Sequence, residues 1–185
     1  STEGSAVLAG ISSIEDLNRG PLEEGSWLAG KRVFIRVDFN VPIDKKTGEK
    51  RWDTEVANAI PETRRHFKAT QANSTPATDG EHLVVVFPTA GLACLGVDGS
   101  LHWKHELGGL NAGGFNDPGM EWGFAASPII HDGRVILQVD IHDGPYLAAW
   151  DLETGDKLWR TERPDVSPSW ATPAIWTTPV GDELV

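Results

Sequence analysis

The 185-residue sequence predicts an all-β fold, a partial β-propeller of about three four-stranded blades over residues 31–185 behind an irregular N-terminal tail over 1–30. Three observations predict it. First, a tryptophan closes three similar phrases, Asp44-x-x-Thr47-Gly48-x-x-x-Trp52, Asp98-Gly99-x-x-x-Trp103 and Asp151-x-x-Thr154-Gly155-x-x-x-Trp159, with the tryptophans 51 and 56 residues apart. Second, a hydroxyl residue before proline leads into an Asp-Gly pair: Thr75-Pro76 to Asp79-Gly80, and Ser127-Pro128 to Asp132-Gly133. A third copy starts at Thr172-Pro173 and reaches Gly181-Asp182. Third, β-branched apolar runs follow at 83–87 and 135–139.

Each element of the unit has a local cause. The residue before proline is pushed out of the helical region, so the Ser/Thr-Pro stretch opens as a strand. Asp-Gly supplies a tight hairpin turn. The β-branched run is the second strand. Residues 91–95 and 101–103 then form a second hairpin through 97–99, and its counterpart runs 146–150, turn 151–155, then 157–159. Four strands in ~50 residues is the length of a propeller blade. An immunoglobulin-like sandwich also has short strands and frequent turns, but whole phrases recurring at this interval favour the propeller. Trp52, Trp103 and Trp159 are the structural blade tryptophans, expected to pack against a neighbouring blade. Residues 104–126 interrupt the rhythm with Gly108-Gly109, Gly113-Gly114 and Asn116-Asp117-Pro118-Gly119, and carry Phe115, Met120, Trp122 and Phe124. That stretch reads either as a recognition loop or as a loop pinned to the blade by apolar anchors.

A net charge of −11 and a pI near 4.9 exclude nucleic acid as the expected partner, because phosphate binding needs clustered cations. The basic cluster Arg64, Arg65, His66 and Lys68 reads as a solvated loop or strand edge. With a mean hydropathy of −0.27 the chain is ordinary for a globular domain. No apolar run approaches the ~20 residues of a membrane span. No basic start followed by an apolar stretch, and hence no signal peptide, is visible. Cys94 is alone in the chain, so an internal disulfide and a cysteine-based zinc cluster are excluded, and it reads as a small buried hydrophobe. His102 and His105 sit three apart, which in a strand points them to opposite faces, and no metal is expected. Asp140, His142 and Asp143 either line a propeller face or form a solvated turn. Asn73-Ser74-Thr75 matches a glycosylation acceptor. No nucleophile elbow, phosphate-binding loop or paired-histidine zinc helix is present.

From Asp44 onward the phrases Asp44-x-x-Thr47-Gly48-x-x-x-Trp52 and Asp151-x-x-Thr154-Gly155-x-x-x-Trp159, the stretch from Asn73 to Gly80, and Trp122-Gly123-Phe124-Ala125-Ala126-Ser127-Pro128 resemble bacterial pyrroloquinoline-quinone-like propeller repeats. The resemblance implies a scaffold outside the cytoplasm, in the periplasm, that binds a protein or small-molecule ligand on a propeller face. It also implies a longer propeller than this chain holds. Quinone-dependent dehydrogenases resemble this repeat too, and imply pyrroloquinoline quinone with calcium. They use a vicinal cysteine pair that a lone Cys94 cannot supply, so no cofactor and no catalysis are expected. A second resemblance lies at 28–43. Arg32-Val33-Phe34-Ile35-Arg36-Val37-Asp38-Phe39-Asn40-Val41-Pro42 is similar to the N-terminal signature of phosphoglycerate kinase. It implies Asp38 and Asn40 as substrate-binding residues and a cytoplasmic phosphotransferase as the alternative function. Where that family places a substrate-binding arginine, this sequence has Glu55. The same residues 31–38 also alternate like a propeller strand.

Overall fold

In the computed structural model, residues 44–57, 70, 72–112 and 122–185 are described. The tail at 1–30, the segment 31–43 with Asp38 and Asn40, the basic cluster at 64–68, Phe115 and Met120 lie outside the described residues.

Two four-stranded antiparallel sheets follow the two complete phrases. The first holds β1 (Ala77–Thr78), β2 (His82–Phe87), β3 (Gly91–Gly96) and β4 (Leu101–His105), paired in chain order. The second holds β5 (Ile129–His131), β6 (Arg134–Val139), β7 (Tyr146–Asp151) and β8 (Lys157–Glu162), again in chain order. A two-stranded hairpin, β9 (Ile175–Thr178) with β10 (Gly181–Leu184), is the third blade's opening pair. The described residues thus form a partial propeller with two complete blades, and they contain no helix.

The turns explain why the phrases repeat. Asp151 Oδ1 accepts the backbone N–H groups of Glu153 and Thr154 at 3.0 and 2.8 Å, and Gly155 N–H closes the turn on the Asp151 carbonyl at 2.9 Å. Asp44 does the same for Lys46, Thr47 and Gly48 at 2.8, 3.1 and 2.7 Å. A short acidic side chain capping its own turn is the physical content of the Asp-x-x-Thr-Gly phrase. At Asp132-Gly133 both residues have positive φ, 47° and 68°, which is the twist that a two-residue hairpin needs.

Both faces of the first sheet are covered, so its inner strands read as nearly continuous apolar runs. In the first blade Val84, Val86, Leu92, Cys94 and Trp103 point one way and pack with Val135, Leu137, Val139, Tyr146, Ala148 and Trp150 of the second. Val85, Ala93 and Leu95 point the other way, against Trp52 and Val56. Successive side chains alternate between faces, which sorts them into these two cores. Cys94 is fully buried, and burial pushes its thiol up to about 11. Both complete blades carry a register shift at the same place, between Cys94 and Leu95 and between Ala149 and Trp150. The extra residue is His102 in the first blade and Leu158 in the second.

Candidate functional site

The seams between successive blades are where the repeat's distinctive side chains meet. Trp52 seats on the following turn, donating Nε1–H to the Val97 carbonyl at 2.8 Å and lying over Gly99. Trp103 repeats the arrangement one blade on, donating to the Leu152 carbonyl at 2.8 Å and lying over Gly155. His105, two residues along the same strand face, places Nε2 2.6 Å from the Gly155 carbonyl. Trp159 occupies the matching place, opposite Ala149 as Trp103 is opposite Cys94, but is 36% exposed against 9% for Trp103. The expectation of a packed ring thus needs correcting at Trp159: no following turn for it exists among the described residues. A second ladder joins the residues before proline. Thr75 N–H donates to Ser127 Oγ at 2.8 Å, and Ser127 N–H donates to Thr172 Oγ1 at 2.9 Å.

Two charged clusters sit at the ends of the sheets. Asp140, just after β6, is 3% exposed, and its carboxylate accepts from Arg163 Nε at 2.9 Å, Gln138 Nε2 at 2.7 Å and Ser169 Oγ at 2.9 Å. The Ser169 N–H adds a bond to the Asp140 carbonyl at 3.2 Å. A buried carboxylate with this many donors ties the loop after β8 to the end of β6. His142 and Asp143 are exposed, so the sequence trio is not brought together. At the opposite end, beside the hairpin turns, His82 is 5% exposed. Its Nδ1 lies 3.0 Å from Asp79 Oδ2, and since a carboxylate only accepts, the proton belongs on Nδ1. Its Nε2 faces Glu153 Oε1 of the second blade at 3.5 Å. The hydrogen bonds from His82, backbone first and ring second, hold Asp79 down to about 2. The bond to Asp79 pushes the imidazole above its usual value against the opposing effect of burial. Nothing in the local sequence marks Arg163 or Ser169, because each takes its role from the distant Asp140, and only Asp79 of the two carboxylates at His82 is its sequence neighbour.

The remaining sequence candidates fall into place plainly. Leu110 and Phe124 are fully buried, so the ends of the 104–126 stretch are apolar anchors, while Trp122 is 40% exposed. Glu55 and Asn73 are exposed. Among the described residues no group of three His, Cys, Asp or Glu could hold a metal ion, and no helix is long and apolar enough to cross a membrane.

Comparison with known proteins gives two signals of unequal reach. Phosphoglycerate kinase of Microcystis aeruginosa is 62% identical over 34 residues, 18% of this chain and 8% of its own length. The enzyme of Anaeromyxobacter dehalogenans is 52% identical over 42 residues, 23% of this chain and 10% of its own. The chain therefore spans only 8–11% of the length of the first curated relatives it matches. Among solved structures, BamB from Moraxella catarrhalis is 17% identical with a TM-score of 0.44, covering 75% of this chain and 40% of that one. Europium-containing methanol dehydrogenase is 16% identical with a TM-score of 0.39, covering 49% and 15%. The family described as outer membrane protein assembly factor BamB matches residues 37–185, a span that includes Asp38 and Asn40 and every described strand. With most of its length matched, the chain belongs to that family of pyrroloquinoline-quinone-like repeat proteins.

Proposed function

We propose that this chain is a non-catalytic interaction module working outside the cytoplasm, in the periplasm, where it takes a protein partner on its blade edges. One observation carries the reading: the two complete sheets end on β4 and β8, whose outer edges pair with no strand among the described residues. An unpaired edge offers a row of backbone donors and acceptors that an extended segment can extend as a further strand. Leu101, next to the bulge of β4, and Leu158, at the bulge of β8, are 45% and 47% exposed and offer apolar contact beside the edge. The family's name, outer membrane protein assembly factor, fits a partner rich in alternating apolar and polar strands. Fluorescence anisotropy of a labelled peptide with such alternation tests the reading. Saturable binding that Leu158→Glu weakens supports it, and no binding to the folded chain overturns it. Alcohol oxidation after reconstitution with pyrroloquinoline quinone and calcium would instead make the chain an enzyme.

The second reading is a phosphotransferase acting on 3-phosphoglycerate, favoured by the short kinase matches. It would engage Asp38 and Asn40, and a coupled assay with ATP separates it from the first.

A further inference from the structure

The seam between the first two blades holds one titratable group that its apolar packing does not use. His82 starts β2, nearly buried, with its Nδ1–H committed to Asp79 and its Nε2 turned toward Glu153 on the β7–β8 turn of the other blade. We propose that His82 is a proton-operated latch between blades: a proton on Nε2 makes the 3.5 Å approach to Glu153 an ion pair across the seam, and its loss releases the contact.

The surroundings favour the charged ring. Asp79 and Glu81 belong to its own turn and Glu153 comes from the second blade. From β4, His102 meets the ring edge-on at 5.6 Å, and Asp98 lies beyond it, bonded to Ser100 and held low by that bond. Cys94 on β3 is a neutral thiol, its ionisation pushed up by burial and then by Asp79 and Glu153. Three carboxylates thus face one imidazole, with the His102 ring packed against it. The imidazole is accordingly raised, first by the Asp79 bond, with Glu153 adding to it. His105 holds the same receiving turn through the Gly155 carbonyl, an acceptor that carries no net charge. A histidine–carboxylate pair recurs at the next seam, His131 Nε2 to Asp182 Oδ2 at 2.9 Å. There the ring is a third exposed and paired in register with Arg134, so that contact lies in water rather than inside a seam.

The sign follows from linkage. A group raised in the folded state contributes stability that is complete below its unfolded value and is lost as pH rises through the folded one. The experiment is urea unfolding of the 185-residue chain at about pH 6 and about pH 8.5, either side of an ordinary histidine. It is run beside NMR titration of the histidine rings, on the wild type and on Glu153→Gln. The wild-type midpoint is expected to fall between the two pH values. In Glu153→Gln it falls less, and the His82 ring titrates at lower pH. Because Glu153 is largely exposed, raising salt to about 0.5 M narrows the difference. Identical midpoints and identical His82 titration in the two proteins overturn the latch. Glu153→Gln is the deciding variant because its side chain is 74% exposed and packs no core, so the fold does not depend on it.

Discussion

Trp103 and Gly155 meet face to face across the first complete seam: a methyl group on Gly155 would stand 2.7 Å from Trp103 Cγ. The glycine is needed twice over, because its φ of +76° is the left-handed region that side chains avoid. One residue thereby both ends the Asp151 turn and makes room for the ring of the preceding blade.

Removing either member should therefore weaken the chain strongly. Trp103→Ala is expected to cost ~3–5 kcal/mol, the range for truncating a buried aromatic. Gly155→Ala should cost at least the ~1–2 kcal/mol of left-handed backbone, plus displacement of the indole. Urea unfolding checks both, and an unchanged midpoint in either would show the seam to be peripheral.

Trp159 offers the internal control. Its position in the repeat matches Trp103, but its ring is four times as exposed by fraction, 36% against 9%. Trp159→Ala should cost less than the Trp103 change, about 2–3 kcal/mol, because less of its apolar area is removed from water. Equal losses would mean that Trp159 is as well covered as Trp103.

The Asp140 cluster should respond asymmetrically. Arg163→Ala leaves a nearly buried carboxylate without its cation, whereas Asp140→Ala leaves a guanidinium that is a third exposed and can turn to water. The arginine change should cost more, about 2–4 kcal/mol, a value below that for a fully buried pair because Arg163 is partly solvated. A double-mutant cycle by denaturant unfolding measures the coupling, and a larger loss from Asp140→Ala would reverse the assignment.

Acid should unfold the chain partly through Asp79. Its carboxylate is held down to about 2 by His82, so the stability it lends is present above the ordinary value of 3.8 and lost as pH falls through 2. Asp79→Asn keeps an oxygen to accept the Glu81 and His82 N–H groups but cannot titrate. The variant's unfolding midpoint should fall less steeply between pH 3.8 and 2 than the wild type's. Parallel curves would show that other carboxylates carry the acid limb.

The chain should not bind 3-phosphoglycerate. A multiply charged substrate needs several converging donors, and Glu55 stands where the kinase resemblance calls for an arginine. Each missing charged hydrogen bond forfeits ~1.5–3 kcal/mol, enough for two or three to move a micromolar site to millimolar. Calorimetric titration checks this. Saturable binding below about 100 μM that Asp38→Ala abolishes would promote the kinase reading, since at 1.4 kcal/mol per tenfold such a site must hold most of those bonds.

The sequence by itself determined the strands and turns. Asp151 capping Glu153 and Thr154, the positive-φ pair Asp132-Gly133, and the alternation of 83–87 are short-range matters, settled by residues within a few positions of one another. It also determined that the units recur, since Trp52 and Trp103 meet equivalent turns. Only the tertiary structure decided which members of a repeat are alike in fact. Trp103 is buried and Trp159 is not because a ring's burial depends on a turn supplied by another blade. Asp140 is locked and Asp143 is solvated because Arg163 and Ser169 return to one and not the other. His82 stands between Asp79 and Glu153 because blade packing brings a turn of the second sheet over the first. Side-chain chemistry of this kind has little local signal, since Arg163, Ser169 and Glu153 lie 23, 29 and 71 residues from the groups they meet and only the folding of strands and blades brings them near.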